Sequence, residues 1–179
     1  HLDIIRIRQK QRNSQEVHRV VRNHLRKYRK EPPELRLQVL AAQGWALWAQ
    51  GKFASAGKSY AKVVSLYEGL DDEAKANLAP VAVSATAECH FYIGEVLLKR
   101  ARSIKFKGNE KQIGKSIKQK LQLMTEAKTQ YEQVIGYQNP GWTIAAYTQL
   151  GLAYRDLADG VESAPVPRRF KRIPELEDE

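Results

Sequence analysis

Three stretches of this chain share one arrangement of large and small residues: Leu40-Ala-Ala-Gln-Gly44-Trp-Ala-Leu47, His90-Phe-Tyr-Ile-Gly94-Glu-Val-Leu97 and Tyr147-Thr-Gln-Leu-Gly151-Leu-Ala-Tyr154. Each places a glycine between a large residue four positions earlier and another three positions later. On a helix these spacings fall on one face, and the missing side chain lets a second helix approach closely. Recurrence of the unit implies stacked helix pairs, since a single pair is too small to bury its own apolar face. The expected architecture is therefore all-α, and no segment shows the alternation of a strand.

The 179 residues suit one domain of ordinary size, and a hydrophobic fraction of 42% suffices for a packed core. No stretch reads as the ~20 consecutive apolar residues that span a membrane. The start at His1 rather than Met reads as an excised piece, so an upstream signal or anchor stays open. Cys89 stands alone, which precludes an internal disulfide and fits any compartment. The net charge of +10 is localised: residues 1–30 and 99–120 each carry +8, while the rest carries −6. A mildly acidic body with two basic segments differs from a uniformly basic nucleic-acid binder.

Along the chain, Asn13-Ser-Gln-Glu16 has helix-start spacing and opens a helix over 14–30, with an apolar stripe of Val17, Val20, Val21, Leu25 and Tyr28. Pro32 and Pro33 stop it. Residues 1–12 could continue that helix or form an arm. Further helices are expected over 34–50, 53–69, 81–104, 117–137 and 142–160, with a short one after Asp71-Asp72. Leu121, Met124, Ala127, Tyr131 and Val134 form the expected inward stripe of 117–137. Residues 105–116 read as a mobile basic loop inserted in the second unit, and 164–179 as an extended tail. Three regions follow: a basic N-terminal helix in 1–33, a helical repeat domain in 34–163, and the tail.

The pattern resembles the tetratricopeptide repeat family. Gly44, Leu47, Ala56, Tyr60 and the Gly51-Lys-Phe53 turn match in the first unit, Gly94, Leu97, Ala127 and Tyr131 in the second, and Leu150, Gly151 and Tyr154 in the third. Gln43 and Glu68 depart from it, and the third unit lacks a second helix before Pro165. The resemblance implies a concave groove lined by Gln38, Ala41, Trp45 and Trp48, then Glu88, Phe91, Glu95 and Leu98, then Ala145, Thr148, Leu152 and Arg155. A second, shorter likeness joins Gly141–Asp159 and Ala164-Pro-Val-Pro167 to envelope-associated repeat proteins of gliding and predatory deltaproteobacteria. It implies a periplasmic or envelope location and a scaffold for envelope or motility machinery; a cytoplasmic one stays open.

Nothing points to catalysis. His18 and His24 lack ligand spacing, His90 diverges from Cys89, and no metal or phosphate-loop motif occurs, so no enzyme activity, cofactor or metal is expected. The reading is a non-enzymatic scaffold that docks a protein or peptide in a groove formed by Gln38, Trp45, Trp48, Glu88, Phe91, Glu95 and Arg155. Trp45 and Trp48 would be its anchors unless the N-terminal helix covers them. Glu88 or Glu95 could alternatively pair internally with Arg155. The rival reading is an adaptor for anionic membrane or nucleic acid, acting through the basic segments and the face Arg19, Arg22, Arg26 and Arg29. That face could equally be the solvated side of a capping helix.

Overall fold

The computed structural model describes residues 2–163. Among them the chain forms eight helices and no strand: α1 (Leu2–Lys10), α2 (Ser14–Lys27), α3 (Pro33–Ala49), α4 (Phe53–Glu68), α5 (Asp72–Ala76), α6 (Pro80–Ser103), α7 (Glu110–Gly136) and α8 (Pro140–Glu162). The expected tail, 164–179, lies outside the described residues.

Local signals set the helix ends. Asn13 caps α2 by accepting from the Glu16 N–H at 3.1 Å, and Asp71 caps α5 by accepting from Ala74 N–H at 2.7 Å. Proline opens α3, α6 and α8, where its missing N–H costs nothing. Gly51, at φ 73°, makes the turn between α3 and α4.

Two boundaries differ from expectation. α2 ends at Lys27, because Glu31 in the following turn is held by His24 and Arg36. The supposed loop 105–116 is mostly helix: Asn109 and Gln112 cap each other reciprocally, and α7 begins at Glu110. Only Ile104–Asn109 remains a connection. Gly114 and the surrounding lysines obscured that start, although the Asn109-x-x-Gln112 spacing marks it.

The core is three apolar clusters that share helices. α1, α2 and α3 meet around Ile5, Val17, Val21, Val39 and Ala46. α3, α4 and α6 meet around Leu37, Ala56, Tyr60 and Val63. α6, α7 and α8 meet around Leu98, Ala127, Tyr131, Val134 and Ala153. The basic N-terminal segment thus enters the core through its apolar side. Among the described residues α6 alone is long and apolar enough to cross a membrane, contrary to the expectation that no stretch is; half of its most apolar window is buried within the molecule.

The glycine pattern explains two of the crossings. A Cβ on Gly44 would collide with the Tyr60 ring, and one on Gly94 would lie 2.7 Å from Tyr131 Cε1. Each tyrosine comes from the following helix of a pair and is fully buried. Gly151 differs: a Cβ there would meet nothing within 4 Å, because no helix of the described chain follows α8. The expectation that Gly151 supports a third internal crossing is therefore corrected.

The two tyrosines also differ at their hydroxyls. Tyr131 donates to Glu95 Oε1 at 2.6 Å, and Glu95 directly follows Gly94. Trp45 occupies the matching place after Gly44, and the buried Tyr60 hydroxyl has no hydrogen-bond partner.

Alanine substitutions should separate the glycines. Gly44→Ala and Gly94→Ala should lower the melting temperature, because the ring clash outweighs the roughly 1 kcal/mol gained in helix propensity. Gly151→Ala should raise it in dilute protein. Tyr60→Phe should leave stability unchanged or better, while Tyr131→Phe should cost about 1–2 kcal/mol in urea unfolding, since it strands Glu95.

Candidate interaction surface

The structure disperses the expected groove. Gln38 is buried, accepts from Arg6 Nη2 at 2.9 Å and donates to the Glu34 carbonyl at 3.3 Å. Trp45 is half-buried against the cluster of α1–α3, so the N-terminal helices do cover it. Trp48, three residues on, turns instead to the next cluster, where it meets Phe53 at 4.8 Å and Tyr92 at 4.9 Å. Lys99 Nζ lies over both the Phe53 and Trp48 rings. The two tryptophans therefore belong to separate clusters and form no common anchor.

Phe91 is also core, ringed by Tyr92, Tyr131 and Trp142. Glu95 is engaged by Tyr131. Arg155 is exposed, and no ion pair joins it to Glu88 or Glu95 among the described residues. The ion pair that does join α6 to α8 is Arg102 with Asp156, at 2.7 Å. It was missed because both residues lie outside the groove positions that the family resemblance supplies.

Of the expected groove, Gln38, Ala41 and Glu88 come together, on a cavity of about 220 Å³ between α1, α3 and α6. Arg6 and Ser84 also line it. Glu88 is half-buried, and burial pushes its carboxyl up to about 7. A second cavity, of about 390 Å³, lies between the α6–α7 connection and α8. There Lys120 is buried, with its ammonium 5.2 Å from the Phe106 ring centroid and 3.5 Å from the Asp156 carbonyl. Lys120 takes the inward position expected of its neighbour Leu121, which is exposed; its aliphatic stem allows this.

The basic face holds only in part. Arg19, Arg22 and Arg26 are exposed on α2, but Arg19 is bidentate to Glu16 at 2.6 and 2.9 Å. Arg29 lies beyond the end of the helix. His90 contacts Gln130 and the Tyr137 hydroxyl through its two ring nitrogens. Among the described residues no group of three or more His, Cys, Asp or Glu could hold a metal.

The largest uncovered apolar feature is one side of α8. Ile144, Tyr147, Tyr154 and Val161 are 68%, 58%, 53% and 47% exposed. Gly151 and Ala158 lie between them and are exposed too. The opposite side of α8 packs on α6 and α7 through Ala146, Ala153, Trp142, Leu150 and Leu157. Among the described residues no helix covers this side of α8.

A family model for the GAD-like domain matches residues 5–104, more than half of the sequence. The chain belongs to the GAD-like domain family. The match overturns the resemblance to the tetratricopeptide family, for which no family model matches, and with it the likeness to envelope-associated repeat proteins. No curated protein and no solved structure gives a significant match. The GAD-like region runs from α1 to the end of α6; α7 and α8 follow it.

Glu88 should leave a pH signature. Its folded-state value, about 7, exceeds the ordinary 4.5, so the folded chain holds this proton more tightly than the unfolded one. Its contribution is present below the unfolded value and is lost as pH rises through about 7. Glu88→Gln should flatten that decline in urea unfolding compared at about pH 5 and about pH 8.

Proposed function

We propose that this chain is a non-enzymatic protein-interaction module that docks a partner helix on the open side of α8. One observation carries the reading: four large apolar side chains lie uncovered along a single side of α8. Isolated exposed apolar residues are ordinary, whereas a contiguous row points to a covered face. Among the described residues no helix lies over Gly151, whereas Gly44 and Gly94 each receive a tyrosine from a neighbouring helix, which supports the reading. Those two filling helices share a sequence, Ala56-x-x-x-Tyr60-x-x-Val63 in α4 and Ala127-x-x-x-Tyr131-x-x-Val134 in α7. A partner helix presenting an aromatic ring between small and β-branched residues suits the same socket.

A synthetic peptide with the α4 sequence, Phe53–Glu68, serves as the probe. Its fluorescence anisotropy should rise saturably with the intact chain, and Tyr154→Glu should abolish the rise. Binding that survives Tyr154→Glu, or no binding, counts against α8 as the site. Salt-sensitive capture of anionic vesicles, lost in Arg22→Glu/Arg26→Glu, would instead favour the basic face.

A further inference from the structure

We infer that the occupant of the open α8 side is α8 of a second copy of this chain, packed antiparallel about a two-fold axis between Leu152 and Ala153. This rests on the reading of α8 as a docking face and names its partner. The exposed row runs Ile144, Tyr147, Gly151, Tyr154, Ala158 and Val161, with alternating steps of three and four. That is the spacing of a two-helix seam.

The row is complementary to itself. In an antiparallel pair, the residues facing each other have numbers with a constant sum. With the axis between 152 and 153, Tyr154 faces Gly151 of the other copy, Tyr147 faces Ala158, and Ile144 faces Val161. Both tyrosines then meet a small residue and both aliphatics meet each other. The Tyr154–Gly151 contact repeats between copies what Tyr60 does at Gly44 and Tyr131 at Gly94 within one chain. A two-fold arrangement requires this self-complementarity of a single patch.

Area and charge agree. The uncovered side chains offer on the order of 500 Å² per copy, so the pair buries about 1,000 Å², the lower edge of a specific interface. Of the charged residues of α8, Asp156 and Asp159 lie off the seam and Arg155 and Glu162 flank it, and Asp156 is already paired with Arg102. No charge has to be buried. The modest area implies a reversible dimer rather than an obligate one.

Sedimentation equilibrium of the full 179-residue chain tests this, from low micromolar to submillimolar concentration. A monomer–dimer equilibrium is expected. A Cβ at Gly151 meets nothing within 4 Å in its own chain, so Gly151→Leu should leave the melting curve in dilute protein cooperative while weakening dimerisation by roughly tenfold or more. Register has its own readout: Tyr147→Cys combined with Ala158→Cys should give a disulfide-linked dimer on mild oxidation, and Tyr147→Cys combined with Val161→Cys should not. A monomer at every concentration overturns the inference. So does a dimer indifferent to Gly151→Leu, or one that the first cysteine pair fails to link. A monomer that still binds the α4 peptide through α8 rejects the second copy and keeps the docking face. A monomer that binds no peptide rejects both.

Discussion

A tyrosine ring resting on a bare glycine holds each long helix pair together. Tyr60 lies where a side chain of Gly44 would be, and Tyr131 where one of Gly94 would be. The contact brings α3 onto α4 and α6 onto α7 closely enough that Ala56 and Ala127, one turn away, are also fully buried. The rings then tie one pair to the next. Tyr60 stacks on Tyr92 with centroids 5.2 Å apart and planes 9° from parallel, and Tyr92 touches Trp48, Phe91 and Trp142. This continuous aromatic path crosses α6 through Tyr92 and Phe91, which touch Tyr60 on one side and Tyr131 on the other. It explains why Trp48 and Phe91 were unavailable as partner anchors: the adjacent pair needs them.

Where a residue's role depended on its own helix, the sequence conveyed it well. The starts of α2, α3, α5 and α8 follow from Asn13, Pro33, Asp71 and Asn139-Pro140, whose capping and φ preferences are local. The closeness of two helix pairs follows from Gly44 and Gly94. Roles that depended on a second element were misread. Gly151 carries the same local pattern, yet the partner that would give it meaning is missing. Trp45 and Trp48 share a helix face in isolation, but two different clusters claim them. Lys120 reads as solvated, yet it lies beneath Phe106 and beside α8. The start of α7 was hidden by a composition of lysine and glycine that outweighed one capping pair.

The family match covers the chain from α1 to α6, and α7 and α8 follow it. The GAD-like region ends with α6, whose far side is apolar and would be bare without α7. α7 covers it and fills Gly94, and α8 in turn covers the second side of that pair. Each added helix buries apolar surface left by those before it and leaves a face of its own.

An outer helix sits stably in water only if its exposed face is polar or is met by something else. α2 meets the first condition: its apolar stripe turns inward on α3 and Arg19, Arg22 and Arg26 face solvent, whereas α1 buries Ile5 but leaves Ile4 and Ile7 exposed. α8 does not meet it, because both of its long sides carry large apolar residues. A polar cap there would require charges at positions 144, 147, 154 and 161, and the chain instead holds Ile, Tyr, Tyr and Val. Its charged residues are displaced to the flanks of that row, as in a helix with two packing faces. The retention of Gly151 and Ala158 between the tyrosines sharpens the point, since a merely exposed helix gains nothing from glycine at its centre and loses helix propensity by it. A glycine there is consistent with a close approach by another helix, the same physical reason that explains Gly44 and Gly94.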